Sequence, residues 1–150
     1  FIRLTRDIAV HRDFNFEKPA ALHSKFLPSL GGGAKMSSSE GNAIYLTDSP
    51  EEVKKKINKY AFSGGQATID EHRKKGGNPD VDVCFQYLKY LFEEDDNKLK
   101  RIEDDYREGR MLTGELKALT IEKINNFLKE HQKRRELAKK QVDKFLLKNK

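Results

Sequence analysis

A glycine-rich stretch followed by one lysine and three serines is the first place in the chain where the residue types could do chemistry. Three glycines at positions 31–33 stand directly before the sequence AKMSSSEGN, residues 34–42. Backbone N–H groups in a glycine-rich turn can converge on phosphate oxygens, serine hydroxyls add donors, and a lysine adds a full positive charge. The residue types therefore suit a phosphate-binding loop, although the same composition is also typical of a linker.

The order of these residues differs from that of the common nucleotide-binding loop. In that loop, Gly and Lys come immediately before Ser or Thr at the start of a helix. Here Met36 follows Lys35, and Gly31 lies four residues before that lysine. We therefore expect a loop that brings its lysine to phosphate only when it closes. The residues alone support phosphate binding and a plain linker about equally.

Two unlike parts of the chain must position this loop. Residues 19–27, PAALHSKFL, form a short and partly alternating run that predicts one buried strand, and residues 29–42 predict a loop. After the loop the apolar pattern becomes helical. A helix start is predicted at Ser49, Pro50 and Glu52, because Ser is a preferred N-cap, Pro fits the first helical position and Glu completes a capping box.

Helical patterning continues through the middle of the chain. The first helix carries apolar residues on one face at Val53, Ile57, Tyr60 and Ala61. It is expected to end at the turn SGGQ, residues 63–66, and a short helical piece at 68–75 precedes the breaker GGNP at 76–79. A core helix is predicted from residue 81, with apolar side chains at positions 81, 84, 85, 88, 91 and 92.

Two more helices are predicted after that core helix. Leu99, Ile102 and Tyr106 mark one that ends near Gly109. Thr113 is expected to cap the last and longest helix, whose apolar residues form one approximate stripe over residues 116–146. At about 1.5 Å per residue, roughly 30 residues make a rod of about 45 Å. The second part of the chain therefore predicts a bundle of about five helices.

The composition limits the classes of protein to which the chain can belong. It has 150 residues, 36% hydrophobic and 36% charged, which suits one globular domain or a domain with a piece of another. No apolar run approaches the roughly 20 residues that span a bilayer, so no membrane partner is expected. Cys84 is the single cysteine, which excludes an intramolecular disulfide and a multi-cysteine zinc site. A reducing, cytoplasmic compartment and a buried thiol on a helix are expected.

Other polar residues that could do chemistry have a structural explanation. The four histidines show no metal-binding spacing: His11, His23, His72 and His131. We therefore expect no metal site, and a hydrogen-bonded structural role for His23. The acidic clusters at 93–96 and 103–105 are more typical of solubilising helix ends than of a paired general acid and base.

The positive charge of the chain is concentrated at one end. The net charge is +6, and the residues from Lys117 onward contain eleven Lys and Arg against four Asp and Glu, a net of +7. The rest of the chain is therefore close to neutral, at −1. This asymmetry suggests that the end meets a polyanion, although a solvated helix face is the commoner meaning of a run of charges.

The block KMSSS, residues 35–39, resembles the Lys-Met-Ser-Lys-Ser signature of class I aminoacyl-tRNA synthetases, with Ser38 in place of the second lysine. The whole chain is similar to the C-terminal part of eukaryotic-type tryptophanyl-tRNA synthetases. The segments that carry the similarity are LTRDIA (4–9), KPAALHSKF (18–26), residues 45–73, residues 76–92, MLTGELK (111–117) and EHQKRRE (130–136). Tyrosyl enzymes share the signature and the lysine-rich helix, so a tyrosyl enzyme is the alternative. The AFSGG turn, the DEHR segment and the GGNPDVDV stretch favour the tryptophanyl branch.

The resemblance implies ATP-dependent activation of tryptophan to an adenylate, followed by transfer to tRNA(Trp). ATP, with its Mg²⁺, is then a substrate, and no permanent cofactor is implied. Lys35 would stabilise negative charge on the triphosphate and the departing pyrophosphate. Ser37, with Ser38 or Ser39, would donate hydrogen bonds, and Met36 would pack and position the loop. The family works as a homodimer, whose contacts lie chiefly in the upstream catalytic domain.

Two domains follow from the same resemblance. Residues 1–47 would be the C-terminal remnant of a Rossmann-type parallel α/β catalytic domain, with one strand and the signature loop. Residues 48–150 would be an all-α anticodon-binding bundle, with the boundary near residues 44–49. Loops at helix ends can present donors to unstacked bases while lysines hold the phosphate backbone. The expected tRNA contacts are Ser63, Gly64, Gly65 and Gln66 for the bases, with Lys59 and Arg73 for the backbone.

The second class I signature, His-x-Gly-His, does not occur in the sequence, and the strands that would form a tryptophan pocket are not found either. We therefore expect a fragment that does not catalyse the reaction alone. Two further hypotheses stay open: a non-catalytic RNA-binding helical module, and a helical interaction protein whose last helix packs on a partner. Salt dependence separates them, because phosphate contacts steepen the fall of affinity with salt.

Overall fold

The computed structural model describes residues 2–11, 13, 16–23, 26–33 and 42–145. Over these residues the chain is mainly helical, as predicted. Six α-helices occur in the described part: α1 (Ile2–Ala9), α2 (Pro50–Tyr60), α3 (Ile69–Lys75), α4 (Val83–Tyr87), α5 (Asp96–Arg107) and α6 (Thr113–Lys139). A π-helical turn, Leu88–Phe92, continues α4, and a 3-10 turn, Val142–Lys144, follows α6.

The strand predicted over residues 19–27 is not formed in the described part of that segment. Residues 16–23 and 26–29 have irregular backbone there, and no strand occurs elsewhere in the described ranges. A strand needs a neighbouring strand to complete its hydrogen-bond ladder. The described residues supply no such neighbour, so an alternating apolar pattern was not sufficient to form one.

Helix α2 begins where the local sequence predicted. The Ser49 side chain accepts a hydrogen bond from the Glu52 N–H, and the Glu52 carboxylate accepts one from the Ser49 N–H. Pro50 occupies the first turn, where a missing N–H costs nothing. Val53 and Ile57 are fully buried, whereas the Tyr60 side chain, predicted on the same face, is 40% exposed.

The core lies between α2, α4, the π-helical turn and α6. Helix α6 contributes a buried stripe at every fourth position: Leu116, Thr120, Ile124 and Leu128. Residues 83–85, 87 and 88 face it from α4 and the start of the π-helical turn. Beyond Leu128 the helix leaves the core, because Leu137 and Val142 are about half exposed. The predicted apolar stripe over residues 116–146 is therefore buried only in its first half.

The π-helical turn changes which residues of the core helix are buried. The Glu93 N–H donates to the Leu88 carbonyl, five residues back, at 2.9 Å. This wider turn shifts the register of the face, so Leu91 is 56% exposed although a regular helix would bury it. Val81 precedes the start of α4 and is also exposed.

Glycines allow the C-terminal ends of α3 and α5 to meet backbone against backbone. Gly76 has a φ of +70°, and a Cβ there would lie 1.7 Å from the Arg107 carbonyl oxygen. Gly109 has a φ of +73°, and its Cβ would lie 2.2 Å from the His72 carbonyl oxygen. Side chains at either position would collide with backbone and adopt a rarely populated conformation. This close contact holds the α3 region against α5.

Among the described helices, none combines the length and the apolar character that crossing a bilayer requires.

Candidate functional site

The residues predicted to bind ATP lie outside the described part of the chain. These residues are Lys35, Met36, Ser37, Ser38 and Ser39. The turn just before them is described and is tightly hydrogen-bonded. The Gly33 N–H donates to the Ser29 hydroxyl at 3.0 Å, and the Ser29 N–H donates to the Gly33 carbonyl at 3.1 Å.

This glycine turn is attached to the helical part by the buried Leu30 side chain, by a hydrogen bond from the Tyr87 hydroxyl to the Pro28 carbonyl, and by the backbone of Phe62. The Phe62 N–H donates to the Leu30 carbonyl at 2.7 Å. Gly32 has a φ of +82°, and a Cβ there would lie 3.3 Å from the Phe62 Cβ. The Phe62 carbonyl in turn accepts from the Val83 N–H at 3.1 Å. Phe62 therefore links the turn before the predicted phosphate loop to the start of α4.

The segment directly after Phe62 contains the residues predicted to meet tRNA bases, and we call Ser63, Gly64, Gly65 and Gln66 the 63–66 segment. Its backbone is held by one side chain from a distant part of the chain and by one within the segment. The Gly64 N–H donates to the Asp82 carboxylate at 2.9 Å, and the Gly65 N–H donates to the Ser63 hydroxyl at 3.0 Å. The segment is thus fixed from the protein side.

Three hydroxyl groups meet behind the 63–66 segment. The Tyr106 hydroxyl donates to Asp82 Oδ2 at 2.8 Å. It also lies 3.3 Å from Ser63 Oγ and 3.2 Å from Thr113 Oγ1, and these two oxygens are 3.2 Å apart. Burial raises the pKa of the Tyr106 hydroxyl to about 12, so the hydroxyl keeps its proton at neutral pH.

His72 supports the last residue of the segment from α3. Its imidazole is buried, with Nε2 3.0 Å from the Met111 carbonyl oxygen and Nδ1 accepting from the Gln66 N–H at 3.4 Å. A neutral ring with its proton on Nε2 satisfies both contacts. The ring also packs against Tyr106, with centroids 5.2 Å apart. The Gln66 side chain donates to the Gly76 carbonyl at 3.0 Å.

The two residues predicted to hold the tRNA backbone have unequal surroundings. Lys59 is exposed on α2, and its ammonium lies 4.9 Å from the centre of the Tyr60 ring. Arg73 donates through Nη1 to the carbonyls of Gly109 and Arg110, where α5 has ended. Arg73 therefore also has a structural role, because it satisfies carbonyls beyond a helix end.

A groove lies beside the 63–66 segment, between residues 66–72 and the first turn of α6. Its volume is about 380 Å³, and it is lined by Gln66, Ala67, Thr68, Ile69, His72 and residues 112–115. Gly114 faces open space, since a Cβ there would meet no atom within 4 Å. The Glu115 carboxylate accepts from the Leu112 N–H at 2.7 Å and so anchors the helix start.

Sequence reasoning missed three residues of this arrangement. Asp82 was treated only as part of a similar segment, Tyr106 as an apolar face residue, and Thr113 as a helix cap. Thr113 is instead the first residue of α6, and its hydroxyl bonds with Ser63 and Tyr106 rather than capping the helix. An aspartate directly before a helix start is a capping signal. The hydrogen bonds of Asp82 to Gly64 and Tyr106 join residues that are distant in the sequence, so no local pattern predicted them.

No group of three or more His, Cys, Asp or Glu side chains suited to a metal ion occurs among the described residues. Cys84 is buried, as predicted, and burial raises the pKa of its thiol to about 12, with a further rise from the Asp82 carboxylate. The thiol is therefore protonated and unreactive at neutral pH.

A family model described as tRNA synthetases class I (W and Y) matches residues 1–129. The chain belongs to this family of class I tRNA synthetases. The tryptophan–tRNA ligase of Saccharolobus solfataricus is 59% identical over 145 residues, which is 95% of this chain and 38% of that protein. The cytoplasmic tryptophan–tRNA ligase of Saccharomyces cerevisiae is 48% identical over 153 residues, 100% of this chain and 35% of that protein.

Solved structures agree with the sequence relatives. The tryptophanyl-tRNA synthetase from Aeropyrum pernix K1 matches 99% of this chain with a TM-score of 0.90 and 39% identity. The match covers 41% of that chain. The predicted resemblance to tryptophanyl-tRNA synthetases is confirmed. The chain spans less than half the length of these relatives.

Proposed function

We propose that this chain is part of a tryptophan–tRNA ligase. The complete enzyme activates tryptophan with ATP, supplied as its Mg²⁺ complex, and transfers it to tRNA(Trp). The names and the identities of the relatives support this proposal, since they share 48% and 59% of aligned residues with the chain. A tyrosyl enzyme is the weaker alternative, because the family model includes both types whereas these relatives are tryptophan ligases.

We propose two domains within the chain. Residues 1–47 complete a Rossmann-type catalytic domain whose other strands, tryptophan pocket and homodimer contacts belong to the rest of the enzyme. Residues 48–150 form an anticodon-binding bundle. The Ser49 capping box supports a boundary at this point, because it starts α2 from a local signal that needs no contact with the preceding residues.

In the catalytic part, Lys35 stabilises the charge that develops on the triphosphate and on the departing pyrophosphate. Ser37, Ser38 and Ser39 donate hydrogen bonds there, and Met36 packs the loop. A preorganised charged donor of this kind lowers a barrier by about 3 kcal/mol, roughly a hundredfold in rate. Within the complete enzyme, Lys35→Ala should slow tryptophan-dependent pyrophosphate exchange by about that factor. A rate within about threefold of the parent would remove Lys35 from this role.

In the helical part, the 63–66 segment meets unstacked anticodon bases at the groove beside α6. The observation that carries this proposal is the anchoring of the segment by the buried Asp82 carboxylate, while Gln66 lies exposed beside the groove. Lys59 holds phosphate. Arg73 also holds phosphate. A guanidinium has five N–H donors, and only Nη1 of Arg73 is used to bind the Gly109 and Arg110 carbonyls.

Binding of the 150-residue chain to tRNA(Trp) tests the anticodon proposal. The affinity is measured for the intact tRNA and for the same tRNA with an altered anticodon, at two salt concentrations. A preference of about tenfold or more for the intact anticodon, maintained at both salt concentrations, is expected, because base contacts carry sequence preference and phosphate contacts carry salt dependence. Equal and strongly salt-sensitive binding to both tRNAs would leave only a basic helical surface.

A further inference from the structure

Asp82 has surroundings that a helix cap alone does not require. Its side chain is 1% exposed, and its two oxygens receive four hydrogen bonds. Oδ1 accepts from the N–H groups of Cys84 and Phe85, at 2.9 and 3.2 Å, and so caps α4. Oδ2 accepts from the Gly64 N–H and from the Tyr106 hydroxyl. One carboxylate oxygen therefore caps α4, and the other accepts hydrogen bonds from the 63–66 segment and from Tyr106 behind it.

The second oxygen sets the direction of the hydroxyl hydrogen bonds behind the segment. Tyr106 has one hydroxyl proton and gives it to Asp82, so its oxygen can only accept from Ser63 or Thr113. Ser63 Oγ accepts the Gly65 N–H and donates to Thr113 Oγ1. Thr113 then donates to Tyr106, and every hydroxyl proton has an acceptor. This order depends on a group at position 82 that accepts and never donates.

The segment has little room to adjust if this order is lost. A Cβ at Gly64 would lie 1.9 Å from the Asn78 carbonyl oxygen, and one at Gly65 would lie 2.2 Å from Thr113 Oγ1. The protein therefore encloses one side of the segment at van der Waals distance. A change in the hydroxyl network therefore alters the position of the segment relative to Thr113, which also lines the groove where the base is proposed to bind.

We propose that Asp82 is the positioning residue for base recognition. Through Gly64 and Tyr106, its carboxylate fixes the geometry with which the 63–66 segment meets an anticodon base. This inference rests on the proposed anticodon function. Asp82 does not touch the base itself, so its effect is on the discrimination between anticodons rather than on attraction to the tRNA backbone.

The test compares Asp82→Asn with Asp95→Asn in the 150-residue chain. Asp95 is a matched control because it caps α5 through the N–H groups of Asn97 and Lys98, at 2.9 and 3.1 Å, and the same substitution there weakens a cap without touching the segment. Asn at position 82 keeps one oxygen for the α4 cap and places an N–H donor against Gly64 and Tyr106. The measurement is the ratio of affinities for tRNA(Trp) with intact and altered anticodons.

The expected result is a ratio about tenfold lower for Asp82→Asn than for the parent chain, with affinity for the altered tRNA changed by less than about twofold. Asp95→Asn should keep the parent ratio. An unchanged ratio in Asp82→Asn, or an equal loss in Asp95→Asn, would overturn the inference. If the parent chain itself shows no anticodon preference, the proposed function fails instead, and the two failures are distinguishable.

A second variant covers the case in which Asp82→Asn does not fold. Tyr106→Phe keeps the α4 cap and the Gly64 contact, and removes only the hydroxyl that links Asp82 to Ser63 and Thr113. Its ratio should fall by about threefold or more, since the two remaining hydroxyls lose their fixed order. A folded Tyr106→Phe chain with the parent ratio would overturn the inference as well.

Discussion

Replacing Glu93 by Gln should remove an ion-pair bridge that joins three parts of the fold. The Glu93 carboxylate follows the π-helical turn and lies 3.1 Å from the Lys98 ammonium of α5 and 3.0 Å from the Lys123 ammonium of α6. Its side chain is 5% exposed, whereas the lysines are 44% and 28% exposed. The carboxylate of this ion pair is therefore buried, whereas both ammonium groups keep contact with water.

The contribution of this ion pair to the free energy of unfolding should lie between that of a surface ion pair and that of a buried one. Exposed pairs contribute about 0.2–1 kcal/mol, and loss of a partner from a buried pair costs about 3–5 kcal/mol. Since the lysines keep contact with water, we expect Glu93→Gln to lower the free energy of unfolding by about 1.5 kcal/mol at pH 7. For a chain of this size that corresponds to roughly 3–6 °C in Tm.

The effect must also depend on pH in a defined direction. The Lys123 ammonium, helped by Lys98, lowers the pKa of Glu93 from 4.5 to about 2. A carboxyl group with a lowered folded-state pKa stabilises the fold above its unfolded pKa and loses that contribution as the pH falls through the folded value. The stability difference between parent and Glu93→Gln should therefore be full above about pH 5 and shrink between about pH 4.5 and 2.

Urea denaturation at pH 7, 5 and 3 measures this difference directly. Glu94→Gln is the matched control, because it changes the exposed neighbouring carboxylate in the same way. Its effect on unfolding should stay within about 0.5 kcal/mol at each pH. A Glu93→Gln difference that does not change with pH, or that equals the Glu94→Gln difference, would refute the ion-pair reasoning.

Three further substitutions test the fold around the site. Gly76→Ala should lower the free energy of unfolding by more than about 3 kcal/mol, since its Cβ would meet the Arg107 carbonyl at 1.7 Å. Gly114→Ala should be neutral or stabilise by up to about 1 kcal/mol, because its Cβ meets open space in a helix; equal effects in urea denaturation would contradict this account. Ser49→Ala should cost about 1 kcal/mol through loss of the α2 cap, and a Tm equal to that of the parent would argue against it.

The features of the fold that were predicted correctly from the sequence depend on residues close to one another along the chain. Ser49, Pro50 and Glu52 specify the start of α2 within one turn, and the structure has the predicted reciprocal hydrogen bonds. The end of α3 at Gly76 also follows from a local glycine signal, whereas α2 ends at Tyr60, before the glycines at 64 and 65 that were expected to end it. Such features need no knowledge of the rest of the chain, because their partners lie within about four residues.

The parts that sequence missed depend on distant partners. Asp82 joins residues 18 and 24 positions away, so its second oxygen had no visible partner in the sequence. Leu91 follows the expected helical period and is exposed because of one π-helical turn. The predicted strand required a neighbouring strand that the described residues do not contain.

The central claim, that the 63–66 segment meets the anticodon, is tested most directly by cross-linking. A photoreactive base is placed at one anticodon position of tRNA(Trp), irradiated with the 150-residue chain, and the attached peptide is identified by mass spectrometry. We predict attachment within residues 63–69 or 112–115, the two sides of the groove. Attachment only to the basic second half of α6, around Lys129, Lys133 and Lys139, would contradict the claim and support a non-specific RNA-binding helix.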